Sequence, residues 1–200
     1  MRVYCLGDSM TYGFGVSRRE AWPALVGAAT GHEMINAGVN GDATSGMLAR
    51  FCVDVPRLKP NVAVLMGGCN DIFLTGSDST ARCNIGALVQ QALSLAITPV
   101  LGFPVPFEPD LIRDDWSLLT DFRSAAEILR QYVAWLRRYA EVFRVPFVDF
   151  WGLFAQMPDP RRTSFYLDGL HLTAQGHKMM AHLMAEKLIL LFNTEALFFT

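Results

Sequence analysis

Short apolar runs alternate along the chain with longer segments whose apolar positions recur at helical spacing. Val3 to Leu6, Glu33 to Asn36, Val62 to Met66, Pro99 to Phe103 and Pro146 to Asp149 form the short runs. Each gives way to Gly, Asn, Asp or Pro, where a buried strand would turn into a loop. Trp22 to Ala29, Ala43 to Phe51, Asn84 to Ala96, Ala125 to Phe143 and Ala174 to Phe192 read as helices. Strands alternating with helices predict a parallel sheet joined by crossover helices, an α/β fold. Pro23 lacks an N–H and belongs in the first turn of its helix. In the fourth helix, Ile128, Tyr132, Trp135, Leu136 and Tyr139 predict a buried stripe with arginines opposite, so these rings are read as core packing.

Pro104 to Phe122 departs from the pattern. It holds Pro104, Pro106 and Pro109, several acidic residues, and Phe107 and Trp116, so no helix or strand is expected to run through it. It follows a strand end, and open α/β sheets bind ligands outside the carboxyl ends of their strands. A lid or substrate wall and a plain surface excursion are the two readings of such a loop. No repeat, low-complexity tract or linker divides the chain, and 200 residues fit one domain spanning 1–200.

Composition narrows the class. Hydrophobic residues make up 52% and charged residues 18%, against about 25% charged in typical domains, which excludes a disordered or collagen-like chain. Seventeen basic against 19 acidic residues give a net charge of −2, no field that would gather nucleic acid or an anionic membrane. Arg18/Arg19, Arg137/Arg138 and Arg161/Arg162 are scattered and read as solvated surface. Cys5, Cys52, Cys69 and Cys83 form no CxxC and no metal spacing, so neither a metal site nor a cofactor is expected. Cys5, Cys52 and Cys69 lie in apolar contexts and are read as reduced core residues. No apolar run approaches the roughly 20 residues of a membrane span; Met179 to Phe192 is broken by His182, Glu186 and Lys187. The chain opens on Arg-Val-Tyr-Cys-Leu without the features of a secretory signal, and a cytoplasmic location is expected. It closes on Leu197, Phe198 and Phe199, expected either to dock on the chain's own core or to form a homodimer contact.

Four segments could carry chemistry. The first strand runs into Gly7-Asp8-Ser9-Met10-Thr11-Tyr12-Gly13-Phe14-Gly15, which would expose the Ser9 hydroxyl at the rim of the sheet. Its glycines also suit a phosphate cradle, but the spacing is neither GxGxxG nor GxxxxGK[ST], and it is not the GxSxG elbow. Asp168-Gly169-Leu170-His171 leads into the last helix, with Thr173 placed to cap it. Serine attack on a carbonyl needs a base to take the hydroxyl proton and an acid to orient that base, and His171 and Asp168 supply these types three residues apart. The negative charge built on the carbonyl oxygen needs fixed donors. The loops Asn36 to Thr44, containing Gly41, and Gly67-Gly68-Cys69-Asn70-Asp71 offer backbone N–H groups and the uncharged Asn70 amide. Asp8 and Asp71 beside these residues are read as loop hydrogen-bonders, and His177 as packing.

Together, Gly7-Asp8-Ser9, Gly41 within Asn-Gly-Asp-Ala-Thr, Gly68-Cys69-Asn70-Asp71 and Asp168-Gly169-Leu170-His171 resemble, in order, the four sequence blocks of the SGNH hydrolases, the GDSL-type esterases and lipases. The resemblance spans residues 5 to 177; Met10 replaces the Leu of the family's name, a volume-conserving exchange. It implies a three-layer α/β/α sandwich with a five-stranded parallel sheet in flavodoxin-like order. It also implies Ser9 as nucleophile, His171 as base assisted by Asp168, and an oxyanion hole of the Ser9 and Gly41 N–H groups and the Asn70 amide. The expected reaction is hydrolysis of a small-molecule carboxylic ester, whether acyl, lysophospholipid-like, aryl or thioester, through an acyl-enzyme. Phe73, Leu74, Phe107 and Trp116 are expected to form an apolar substrate wall. A carbohydrate O-deacetylase would use the same triad, and a non-catalytic flavodoxin-like module binding phosphate or nucleotide is the alternative of another class.

Overall fold

The structure is a computed structural model that describes residues 1–116 and 118–193. Five strands, β1 (Arg2–Gly7), β2 (Glu33–Gly38), β3 (Val62–Met66), β4 (Thr98–Gly102) and β5 (Phe147–Val148), form one parallel sheet in the order β2-β1-β3-β4-β5. The chain winds from β1 outward to one edge, returns to the other side at β3, and so creates a switch point between β1 and β3, where ligands of open sheets bind. Register brings the site together there: Gly7 lies opposite Gly38 on one side and Met66 on the other, so the loops after β1, β2 and β3 start side by side.

Alternation along the strands divides the core in two. Tyr4, Leu6, Ala63, Leu65 and Leu101 face the helices α3 (Thr44–Leu58), α5 (Ser79–Ser94) and α6 (Phe122–Phe143). Val3, Cys5, Val62, Val64 and Val100 face α2 (Trp22–Thr30), α7 (Phe150–Ala155) and α8 (Ala174–Asn193). Every residue of β3 is buried, as expected of a central strand covered on both faces. Short helices α1 (Ser9–Tyr12) and α4 (Cys69–Thr75) follow β1 and β3 directly. Among the described residues, no helix is long and apolar enough to cross a membrane.

Several local expectations are corrected. α3 continues past Phe51 through Pro56, because Val55 is needed in the core while exposed Pro56 leaves its missing N–H on the solvent side. The buried stripe of α6 is centred on Ala125, Leu129, Tyr132, Val133, Leu136 and Ala140. Ile128, Trp135 and Tyr139 lie at its half-buried shoulder, where the Arg82 guanidinium covers the Trp135 ring. Cys52 is exposed, on the face of α3 turned from Met47, Phe51 and Val55, and Cys69 is half-buried. The 104–122 stretch contains two single 3₁₀ turns, Pro109–Leu111 and Asp114–Trp116. Leu197, Phe198 and Phe199 lie outside the described residues.

Candidate active site

Ser9 is set in place by its neighbours. A Cβ on Gly7 would collide with the Thr11 hydroxyl and the Met66 carbonyl, so only glycine lets the chain turn this tightly off β1. Asp8 then caps α1, its carboxylate accepting the Met10 N–H at 3.0 Å. This makes Ser9 the first residue of the helix. Asp8 itself is buried, which pushes its pKa up to about 6.

Asp168 and His171 are fixed by bonds within one turn. Asp168 Oδ1 accepts the N–H groups of Leu170 at 3.0 Å and His171 at 2.7 Å, and Oδ2 lies 2.9 Å from His171 Nδ1. His171 Nε2 lies 2.9 Å from Ser9 Oγ. With Asp168 ionised, the proton belongs on Nδ1 and the Nε2 lone pair faces the serine hydroxyl. Burial works against the Asp168 charge, but hydrogen bonds from the His171 N–H and ring outweigh it and hold its pKa below the usual value. Burial holds the His171 pKa below the ordinary histidine value, with Asp168 opposing in part, so the ring is neutral and able to act as a base at neutral pH.

The turn is seated on the irregular stretch after β4. Gly169 adopts φ +81° and packs against the Leu111 and Ile112 backbone with no room for a Cβ, while its carbonyl accepts the Glu108 N–H at 2.7 Å. Two rings flank the imidazole: Phe14 at 4.3 Å between centroids and Trp116 edge-on at 5.7 Å. Phe14 is a neighbour the motifs do not reveal; its one sequence signal is a place between Gly13 and Gly15, five residues after Ser9.

The opposite side is braced over longer range. Asn70, the second residue of α4, donates one amide N–H to the Asp42 carbonyl at 2.9 Å, leaving the other for a ligand. Arg50 grips the Asp42 carboxylate through Nε at 3.1 Å and Nη2 at 2.6 Å. It also donates to the Ala37 carbonyl at 2.8 Å and the Gly7 carbonyl at 3.3 Å. One guanidinium thus ties the ends of β1 and β2 to the loop that carries Gly41 and supports Asn70. Asp71 accepts both the Thr44 N–H at 2.9 Å and the Thr44 hydroxyl at 2.6 Å, joining the start of α3 to α4. Arg50 escapes motif reading because it lies on a helix eight positions from its carboxylate partner.

Two spaces open beside Ser9, His171 and Asn70. A small pocket of about 30 Å³ lies among Met10, Met66, Gly67, Cys69, Val105 and Leu170. A wider cleft of about 220 Å³ is walled by Phe14, Gly41, Phe73, Trp116, Leu119 and Phe122. Of the residues expected in the substrate wall, Phe73 lines both spaces and Trp116 the wider one. Phe107 is 5% exposed and packs behind Phe73 and Phe122, supporting the wall without forming it. Leu74 is 76% exposed and outside both spaces, because it lies on the outer side of α4. Among the described residues, no group of three or more His, Cys, Asp or Glu is arranged to hold a metal.

Comparison with known proteins adds an independent finding. The model of the GDSL-like Lipase/Acylhydrolase family matches residues 5–179. Esterase TesA of Pseudomonas aeruginosa is 27% identical over 107 residues, 50% of this chain and 53% of that protein, so the match spans about half the length of the curated relative. A member of the lipolytic protein G-D-S-L family from Veillonella parvula superposes with a TM-score of 0.79 at 20% identity, over 93% of this chain and 97% of its own. The lipase/acylhydrolase from Enterococcus faecalis does so with a TM-score of 0.70 at 24% identity, over 94% of each chain. These two show likeness of fold.

Proposed function

The chain belongs to the GDSL-like lipase/acylhydrolase family, and from that premise we propose that it is a serine hydrolase of carboxylic esters working through an acyl-enzyme on Ser9. The observation that carries the reading is the continuous line from Asp168 to His171 to Ser9, with contacts of 2.9 and 2.9 Å, opening on an apolar cleft.

His171 Nε2 takes the hydroxyl proton as Ser9 Oγ bonds to the ester carbonyl carbon, and the carbonyl electron pair moves onto oxygen. The Ser9 and Gly41 N–H groups and the free Asn70 amide hydrogen meet that oxyanion. When the tetrahedral species collapses, the bond to the alcohol oxygen breaks and the imidazolium returns its proton there. Water then gives a proton to His171 and attacks the acyl carbon; collapse releases the acid and returns the proton to Ser9. The sum is ester plus water to acid plus alcohol.

Apolar rings around the cleft favour an apolar ester over a sugar acetate, whose hydroxyls would lose their water against Phe14, Phe73 and Trp116. The phosphate-binding alternative is disfavoured by the buried Asp8 carboxyl at the head of the glycine loop, which opposes an anion there. Rapid mixing with p-nitrophenyl acetate tests the reading: one equivalent of p-nitrophenol is expected in a burst, abolished in Ser9→Ala. Ser9-independent turnover would overturn it.

A further inference from the structure

The two spaces beside Ser9 differ in access as well as in size. None of the residues around the 30 Å³ pocket is exposed, and Met66, Gly67, Pro104 and Val105 are buried. The 220 Å³ cleft has exposed Asn40, Gly41 and Leu119 at its rim. The order of bond breaking distinguishes their uses. The alcohol must leave, and water must enter, while the acyl group is still bonded to Ser9. The cleft gives a departing alcohol the wider path outward, whereas a group in the narrower pocket stays beside Ser9 through both half-reactions.

We propose that the narrower pocket holds the acyl group and the wider aromatic cleft holds the alcohol, so that the substrates are acetyl- or propionyl-sized esters of bulky apolar alcohols. This rests on the hydrolase reading above and assigns its substrate class. The pocket has about one seventh of the cleft's volume, so it suits the smaller of the two groups that an ester carries. A longer chain meets the buried Met66 and Val105 side chains and the Asp8 carboxyl in the same wall, against which methylene groups gain nothing. The wide cleft offers the opposite: Phe14, Phe73, Trp116 and Phe122 present ring surface to an apolar alcohol.

Two substrate series test the assignment on the wild-type enzyme. With p-nitrophenol as the fixed alcohol and acyl chains from acetyl to octanoyl, kcat/KM is expected to be highest for acetyl or propionyl and to fall at least tenfold by hexanoyl. With acetate as the fixed acid and ethyl, benzyl and naphthylmethyl alcohols, kcat/KM is expected to rise with alcohol size. Met10→Ala, at a half-buried position, and Met66→Ala, in the core, should shift the acyl optimum to longer chains. Trp116→Ala should flatten the alcohol series while the acyl ranking keeps its order. Hexanoyl or octanoyl turnover equal to acetyl, or an alcohol series that falls with size, overturns this assignment and leaves the hydrolase reading standing. Absence of Ser9-dependent turnover across both series overturns the hydrolase reading itself.

Discussion

On one side of Ser9, Asp168 and His171 are fixed to each other by bonds made inside a single turn. On the other, Asn70 is held through Asp42, 28 positions away in sequence, and Asp42 is held by Arg50. The first side is a local device with aromatic packing around it; the second is a relay across two loops, one helix and two strand ends. A local device survives small shifts of the surrounding fold because its parts move together. A relay passes any shift on to the donor at its end, where misplacement by about 1 Å can cost on the order of 100-fold in rate.

The largest effect is expected on the local side. Asp168→Asn should lower kcat by about 10⁴-fold, because the imidazole loses the partner that sets its tautomer and stabilises its cation. The same substitution sharpens the electrostatics. In the proposed mechanism, protonation of His171 removes the base, so kcat/KM should fall as pH drops through the His171 pKa. Burial already places that limb below pH 6.5, and without Asp168, which raises the pKa, it should move to still lower pH. A pH–rate profile of wild type and variant checks both points.

Asn70→Ala should cost about 10² to 10³ in kcat, or roughly 3 kcal/mol, with little change in KM. Steady-state kinetics with one short-chain ester measures the split, and a loss confined to KM would break the assignment of Asn70 to the transition state.

Arg50→Met tests the relay. It should lower kcat about 10- to 100-fold, and free guanidinium should restore part of the loss. The cost should shrink in an Asn70→Ala background, since both changes act on the same donors. Full additivity in that double-mutant cycle would mean that Arg50 does not act through Asn70.

The last effect falls on stability and leaves the rate aside; it turns on Asp8, the residue before Ser9. Its folded pKa of about 6 lies above the unfolded value of 3.8. The native state therefore binds the proton more tightly, and the carboxyl's contribution to stability is present below pH 3.8 and lost as pH rises through about 6. Asp8→Asn keeps an acceptor for the Met10 N–H and removes this loss. Between pH 4 and 8, the difference between variant and wild type should move in the variant's favour by on the order of 3 kcal/mol. Urea unfolding at the two pH values measures it.

The same contrast explains what could be read without coordinates. β3 is legible because both faces of a central strand must be apolar, giving the unbroken run Val62 to Met66. The pairing of Asp168 with His171 is legible because it needs only four consecutive residues. Arg50 is not, since its three acceptors come from β1, β2 and the loop after β2, and no spacing encodes that convergence. Helices α4 and α7 also escape, being seven and six residues long, too short for a helical period to declare itself. Phe107 and Leu74 share the apolar character of Phe73, and only packing separates the ring behind the wall and the side chain outside it from the ring that forms it.

The central claim, that Ser9 is the nucleophile and that the relay-held donors serve the charge it creates, is tested most directly by covalent labelling. A p-nitrophenyl alkylphosphonate places a tetrahedral phosphorus where the reacting carbon would be. Peptide mass mapping should find one phosphonyl group per chain, on Ser9, with one p-nitrophenol released. Labelling should be absent in Ser9→Ala and at least tenfold slower in Asn70→Ala. Phosphonylation of another residue, or equal labelling of wild type and Ser9→Ala, would contradict the account.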